Sequence, residues 1–235
     1  MSEHSSKVDL LRVAEHLGDL REEVVFVGGC AVVFLVPPVN VPSIRPTEDV
    51  DCIIKVDSRA QYYRGVVDRL RPLGFSECTD HGAPICRWVV EGIRVDIMPT
   101  AADILRFTNR WYEFALAEPV IVQATPDLRI RVIGLAAFLA TKFEAFASRG
   151  QGEHAGDTDM EDILSVLAYR QDASQMVSQA PQALREFLQL CATKLLELSG
   201  LAELVSAALP GDNVSQSAVP AVLETLRTLA AGRGQ

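Results

Sequence analysis

The pattern of apolar and polar residues predicts an α/β arrangement in the first 132 residues of the chain. Apolar residues recur at helical spacing over residues 7–20, and a short β-branched run follows at Val24–Val27. Gly92 separates two further apolar runs, which predicts a hairpin. The predicted strands cover residues 24–27, 49–55, 86–91, 93–98, 120–124 and 130–132.

From residue 133 the pattern is helical. Long helices are predicted over residues 133–149 and 158–169, and further helices follow Pro181. Four prolines between residues 37 and 46 predict an irregular loop there. The expected fold is therefore a mixed β-sheet core flanked by helices at 1–132, with a C-terminal helical region at 133–235.

Asp49 and Asp51 are two carboxylates in a strand that is otherwise apolar. Side chains two positions apart in a strand point to the same face, so these two would lie side by side. Neighbouring carboxylates repel each other unless a positive charge lies between them, and Mg²⁺ prefers oxygen ligands. The pair therefore predicts a divalent-cation site. A solvated strand end is the alternative, and a calcium loop is disfavoured because no Glu closes a 12-residue loop.

Gly28 and Gly29 follow the first strand and precede a predicted short helix. Glycine lets the backbone approach a ligand closely, and the N–H groups at a helix start favour a phosphate. A plain turn between strand and helix is the alternative. The stretch is neither a Walker loop nor a dinucleotide fingerprint, because GK[ST] and GxGxxG are both missing.

Asp96 lies in another apolar strand, where it shares a face with Arg94. An acid in so apolar a strand needs a partner. Two interpretations follow from the residues: an ion pair with Arg94, or a third ligand for the cation at Asp49 and Asp51.

Composition narrows the choice of functions. The net charge of −9 disfavours a broad, non-specific grip on nucleic acid. The five cysteines have no metal-site spacing, so buried free thiols in a reducing compartment are expected. The polar start of the chain and the lack of a long apolar run predict a cytoplasmic protein without a membrane span.

The order of strand, Gly-Gly turn, helix, Asp-x-Asp strand and later Asp strand resembles the nucleotidyltransferase superfamily with the DNA polymerase β-like fold. The resemblance covers residues 24–99. It implies that Gly28 and Gly29 cradle the phosphates of a nucleoside triphosphate (NTP), and that Asp49, Asp51 and Asp96 bind two Mg²⁺ ions. Many members have Gly-Ser at the turn, so the glycine at position 29 loses a side-chain contact to phosphate.

The second half is similar to the AbiEii-type, toxin-like branch of that superfamily. There a helix with a Lys is followed by a basic residue and then by an Asp-x-x-Asp helix start. The resemblance implies that Lys142 and Arg149, two turns apart on one helix face, meet the triphosphate or the acceptor. Asp159 or Asp162 would pair with Lys142 or Arg149 and so position that helix face. The alternatives are that Lys142 is a solvated cation and that Asp159, Glu161 and Asp162 are capping charges favoured by the helix dipole.

These resemblances imply a Mg²⁺- or Mn²⁺-dependent nucleotidyltransferase whose cleft the helical region completes. It would move a nucleoside monophosphate from an NTP to an acceptor hydroxyl on tRNA, a protein or a small molecule, with the first two favoured. A cognate antitoxin is an expected partner. The alternative is a catalytically silent binding or antitoxin-like regulatory module. A nuclease or phosphatase with the same metals is disfavoured by the Gly-Gly turn.

Overall fold

A computed structural model describes residues 4–105, 109–148 and 157–232. Within these ranges seven strands form one mixed sheet in the order β3-β4-β5-β2-β1-β7-β6. The mixed sheet and the helices after it confirm the predicted α/β fold. The strands are β1 (Val24–Val27), β2 (Asp49–Ile54), β3 (Ser76–Glu77), β4 (Arg87–Val90), β5 (Ile93–Pro99), β6 (Val120–Thr125) and β7 (Leu128–Val132).

Helices precede, interrupt and follow the sheet strands. None of those in the described ranges is long and apolar enough to cross a membrane. The α-helices are α1 (Ser5–His16), α2 (Val32–Leu35), α3 (Arg59–Tyr62), α4 (Asp68–Leu70), α5 (Ala102–Leu105), α6 (Tyr112–Ala117), α7 (Leu135–Ser148), α8 (Thr158–Tyr169), α9 (Ala173–Ser178), α10 (Gln182–Leu196), α11 (Leu201–Ala208), α12 (Asn213–Gln216) and α13 (Val219–Ala230).

The chain forms two compact units. The sheet unit consists of Met1–Phe34 and Pro46–Gly134 and contains all seven strands. The helical unit consists of Leu35–Arg45 and Leu135–Gln235 and contains helices α7 to α13.

The centre of the sheet unit is the group β5-β2-β1. β2 runs antiparallel to β1 and parallel to β5. All four residues of β1 are buried, as expected for a short β-branched strand that is covered on both faces. In β2 the last three residues are buried, whereas Asp49 and Asp51 are half-buried. The acidic positions therefore lie at the beginning of a strand whose end is part of the core.

The β4–β5 hairpin turns at Glu91 and Gly92, both of which have positive φ angles, 49° and 78°. Positive φ at both central residues is the requirement of a type I′ turn, and Gly satisfies it without strain. The two-residue turn pairs Val90 with Ile93 and, further from the turn, Arg87 with Asp96. The predicted hairpin at Gly92 is confirmed, and its length fixes which residues of β4 and β5 face each other.

The proline-rich segment is more regular than predicted. Pro38–Ser43 forms a 3₁₀ helix where the sequence indicated an irregular loop. The fixed φ of proline suits the first turn of a helix, and Pro38 occupies that place. Arg170 Nη1 donates to the carbonyl of Leu35 at 2.8 Å, and Arg45 lies 3.2 Å from Glu161. These contacts hold the segment on the helical unit.

Side-chain caps stabilise the starts of α3 and α8. Ser58 caps α3 by accepting a hydrogen bond from the N–H of Gln61 at 3.2 Å. Asp157 caps α8 by accepting from the N–H groups of Asp159 and Met160 at 2.8 and 3.1 Å. The cap of α8 is thus Asp157.

Replacing Asp157 by Ala is expected to lower the free energy of unfolding by about 1 kcal/mol, because two N–H groups of α8 lose their acceptor. Urea denaturation measures the change. Asp157→Asn is the matched control, since its amide oxygen still accepts, and it should retain most of the stability. Equal losses in the two variants would contradict the capping role.

Candidate metal centre

Three carboxylates converge on one face of the sheet. Asp49 and Asp51 lie two positions apart on β2, and the parallel register places Asp96 of β5 directly beside Asp51. One oxygen from each of the three lies within 4.8 Å of the others. Asp96 is buried, whereas Asp49 and Asp51 are half-buried. The structure thus brings together the three aspartates that the sequence singled out.

The partner of Asp96 differs from the residue proposed in the ion-pair interpretation. Arg87, not Arg94, makes the pair: its Nε donates to Asp96 Oδ1 at 2.8 Å and its Nη2 to Oδ2 at 2.7 Å. Arg94 pairs instead with Glu48. The reason is geometric, because Arg87 lies opposite Asp96 in the hairpin and can present its planar fork to both carboxylate oxygens.

Arg87 also approaches a second member of the triad. Its Nη2 lies 3.7 Å from Asp49 Oδ2, so one guanidinium spans carboxylates from β5 and β2. The hydrogen bonds to Asp96 raise the pKa of Arg87 above its ordinary value, and it stays charged. Sequence reasoning missed this residue, although the two-residue turn at Gly92 contained the signal, because counting back from that turn places Arg87 opposite Asp96.

Gly28 touches the triad through its backbone. It has φ 66° and ψ −162°, a combination that is essentially restricted to glycine. A Cβ at this position would lie 2.1 Å from Asp51 Oδ2. The absence of a side chain therefore lets the turn pack directly against the Asp51 carboxylate. Gly29 is buried and begins the 3₁₀ turn that follows.

Gly28→Ala is expected to lower the free energy of unfolding by about 2–4 kcal/mol, which combines backbone strain with overpacking against Asp51. Chemical denaturation measures the loss. Gly74→Ala is the matched control: φ is also positive, 88°, but a Cβ there meets nothing within 4 Å. We expect it to cost about 1–2 kcal/mol. Equal losses would mean that neither the contact with Asp51 nor the ψ of −162° at Gly28 adds to the cost of a positive φ.

The cysteines beside the triad are not reactive groups. Burial raises the pKa of Cys86 to about 12 and that of Cys52 well above its ordinary value. Both therefore stay protonated at neutral pH. Because only the thiolate is a good nucleophile or metal ligand, neither cysteine is suited to those roles. The five cysteines form no disulfide, and three of them are buried.

In the helical unit the structure brings Lys142, Asp159 and Asp162 together. Lys142 Nζ donates to Asp159 Oδ1 at 2.9 Å and to Asp162 Oδ2 at 2.6 Å. All three residues are buried, so Lys142 is not a solvated cation. Burial alone would lower the pKa of Lys142, but the attraction of Asp162 and Asp159 outweighs it and the pKa lies above its ordinary value.

Arg45 extends this cluster. Its Nη2 lies 3.4 Å from Asp162 Oδ1 and its Nε 3.2 Å from Glu161. The predicted support of Lys142 by Asp159 and Asp162 thus has a definite geometry, whereas a role for Lys142 in nucleotide binding stays a prediction. Arg149, the other basic residue of that prediction, lies outside the described residues.

The donor set of the triad fits a hard divalent cation. Mg²⁺ and Mn²⁺ prefer oxygen ligands, and three carboxylates supply them with excess negative charge. Asp96 gives two hydrogen-bond acceptor sites to Arg87, but an ionised carboxylate has about four, so it retains capacity for a cation. Asp49 and Asp51 remain partly exposed and accessible from solvent.

No protein-family model matches this chain. No curated protein matches it either. The geometry of the triad and of the glycine turn beside it is therefore the basis for proposing a function.

Proposed function

We propose that the protein is a Mg²⁺- or Mn²⁺-dependent nucleotidyltransferase that uses an NTP as its substrate. One observation carries the proposal: Asp49, Asp51 and Asp96 converge beside a glycine turn that is in close contact with one of them. Carboxylates that hold cations, next to a backbone that can approach phosphate, are the parts that phosphoryl transfer needs.

The aspartates and the glycines would have different roles in the reaction. Asp49, Asp51 and Asp96 would hold the metal and fix its distance from the turn. Gly28 and Gly29 would leave room for phosphate oxygens beside the backbone. When bound, Mg²⁺ or Mn²⁺ would supply positive charge for the phosphates and lower the pKa of an acceptor hydroxyl.

The acceptor is proposed from the toxin-like resemblance of residues 140–163. It favours tRNA or a protein over a small molecule, with a cognate antitoxin as a partner and the cytoplasm as the location. The acceptor hydroxyl would attack the α-phosphorus, and the bond from that phosphorus to the bridging oxygen would break. Pyrophosphate would leave, and the hydroxyl proton would pass to solvent.

A catalytically silent binding module is the second candidate. The bidentate pair between Arg87 and Asp96 favours it, because a guanidinium already places positive charge on the triad. The two candidates differ in how nucleotide binding depends on metal. The enzyme should bind NTP more tightly when Mg²⁺ is added, whereas a silent module should show no such gain.

The test is to incubate the protein with each α-³²P-labelled NTP, Mg²⁺ or Mn²⁺, and a cell extract. The expected result is label in an RNA or protein fraction together with release of pyrophosphate. Release of inorganic phosphate without labelling would indicate a phosphatase. Labelling that survives replacement of Asp49 and Asp51 would overturn the proposed mechanism.

A further inference from the structure

Arg87 neutralises part of the negative charge of the triad before any metal cation binds. Three carboxylates lie within 4.8 Å of one another and carry three negative charges when ionised. Arg87 adds one positive charge beside these carboxylates. It donates two hydrogen bonds to Asp96, and its Nη2 lies 3.7 Å from Asp49 Oδ2. The net charge of the four groups is therefore that of two carboxylates, which one divalent ion balances.

The position of Arg87 is more than a link between two strands. An ion pair that served only to join β4 to β5 would involve Arg87 and Asp96 alone. The guanidinium of Arg87 also lies 3.7 Å from Asp49 on β2. Only 26% of its side chain is exposed, so solvent screens its charge incompletely. Arg94 lies beside Asp49 in the register, but Glu48 holds its guanidinium and both are more exposed.

We propose that Arg87 is a positioning residue and the resident counter-cation of the triad, which limits the site to one divalent ion until a triphosphate brings further negative charge. This inference rests on the proposed function, since it describes how the same site is loaded. Arg87 fixes the orientation of Asp96 before any ion arrives, because a bidentate pair constrains the carboxylate plane. Its charge also makes a second divalent ion unfavourable when nucleotide is absent.

The experiment counts bound Mn²⁺ by electron paramagnetic resonance and isothermal titration calorimetry. It compares the full chain with and without a non-hydrolysable NTP analogue. The wild type should bind one Mn²⁺ alone and two with the analogue. Arg87→Gln, which removes the positive charge, should bind two Mn²⁺ without the analogue. Its first ion should bind about tenfold more tightly, because a unit charge a few ångströms away is removed.

Two further variants separate charge from packing. Arg87→Lys keeps the charge but loses the fork, so it should bind one Mn²⁺ without the analogue. Arg94→Gln, on the neighbouring strand, is the matched control and should behave as the wild type. Thermal unfolding shows which variants are folded. If Arg87→Gln does not fold, Arg87→Lys still decides, since two ions in that variant would overturn the role of charge.

The outcomes separate this inference from the proposed function. One ion in Arg87→Gln, bound no more tightly than in the wild type, would overturn the role of Arg87 while leaving the metal site intact. Failure of the wild type to bind Mn²⁺ even with the analogue would overturn the proposed function, and this inference with it.

Discussion

Replacing Asp49 and Asp51 together by Asn is expected to lower nucleotidyl transfer by about 10³-fold or more without destabilising the fold. The bound metal would stabilise the charge of the transition state by several kcal/mol, and each loss of about 1.4 kcal/mol lowers the rate about tenfold. Stability should be unchanged or higher in metal-free buffer. Like charges within 4.8 Å repel one another, and the substitutions remove two of them while the pair between Arg87 and Asp96 stays in place.

Two measurements check this prediction. Labelled transfer gives the rate, and thermal unfolding with EDTA or with Mg²⁺ gives the stability. Wild-type protein should be stabilised by about 2.7 kcal/mol when Mg²⁺ is present at about 100 times its dissociation constant, whereas the double variant should not respond. Glu48→Gln, next to Asp49 in the chain and highly exposed, is the matched control and should keep the Mg²⁺ response. A Mg²⁺ response retained in the double variant would place the metal elsewhere.

Replacing Lys142 by Met is expected to lower the free energy of unfolding by about 3–5 kcal/mol, the usual cost of leaving a buried charge uncompensated. The side chains of Asp159 and Asp162 are only 5% and 4% exposed, so water cannot take over the role of the ammonium group. Guanidinium denaturation measures the loss. Lys194→Met, on the exposed face of α10, is the control and should change stability little.

The origin of this loss can be tested by removing the acids as well. Lys142→Met combined with Asp159→Asn and Asp162→Asn should recover part of the stability, because no net charge stays buried. If the triple variant is as unstable as Lys142→Met alone, packing rather than charge is responsible.

The pH dependence of this cluster has a definite sign. The pKa of Lys142 is higher in the folded chain than in the unfolded chain. Its contribution is therefore fully present at neutral pH and is lost only as the pH rises through the folded value, in the strongly alkaline range. The stability difference between the wild type and Lys142→Met should accordingly persist from pH 7 to about pH 10.

The pair Asp49 and Asp51 could be anticipated from the sequence because a short-range rule governs it, whereas the link to Asp96 came from the resemblance in the order of the strands. The period of two places Asp49 and Asp51 on one face, and the apolar residues around Asp96 mark it as part of a central strand. Adjacent, parallel β2 and β5 then bring the three together. Strand β1 and helix α8 have the predicted bounds, because a continuous β-branched run before Gly28 defines β1 and apolar residues at helical spacing define α8.

Arg87 illustrates what local patterns leave open. Arg94 is nearer to Asp96 along the chain and shares its face, so proximity in sequence favoured the wrong partner. A two-residue hairpin turn sets the cross-strand neighbour, and this register, not proximity along the chain, decides the pair. The same limit applies to Pro38–Ser43, whose 3₁₀ helix is held by Arg170 and Arg45 through contacts distant in sequence.

The segment Leu35–Arg45 makes the polypeptide pass three times between the two units, after Phe34, after Arg45 and after Gly134. Neither unit is therefore a continuous stretch of the gene. A fragment ending at Gly134 would keep all three aspartates, but Leu35–Arg45 would lose its contacts with Arg170, Glu161 and Asp162. Val36 and Ile44, which are buried in the full chain, would then be exposed to water. Simple truncation after Gly134 should thus yield an aggregation-prone fragment. A fragment in which a short polar linker replaces residues 35–45 should be less prone to aggregation, because it contains only residues of the sheet unit.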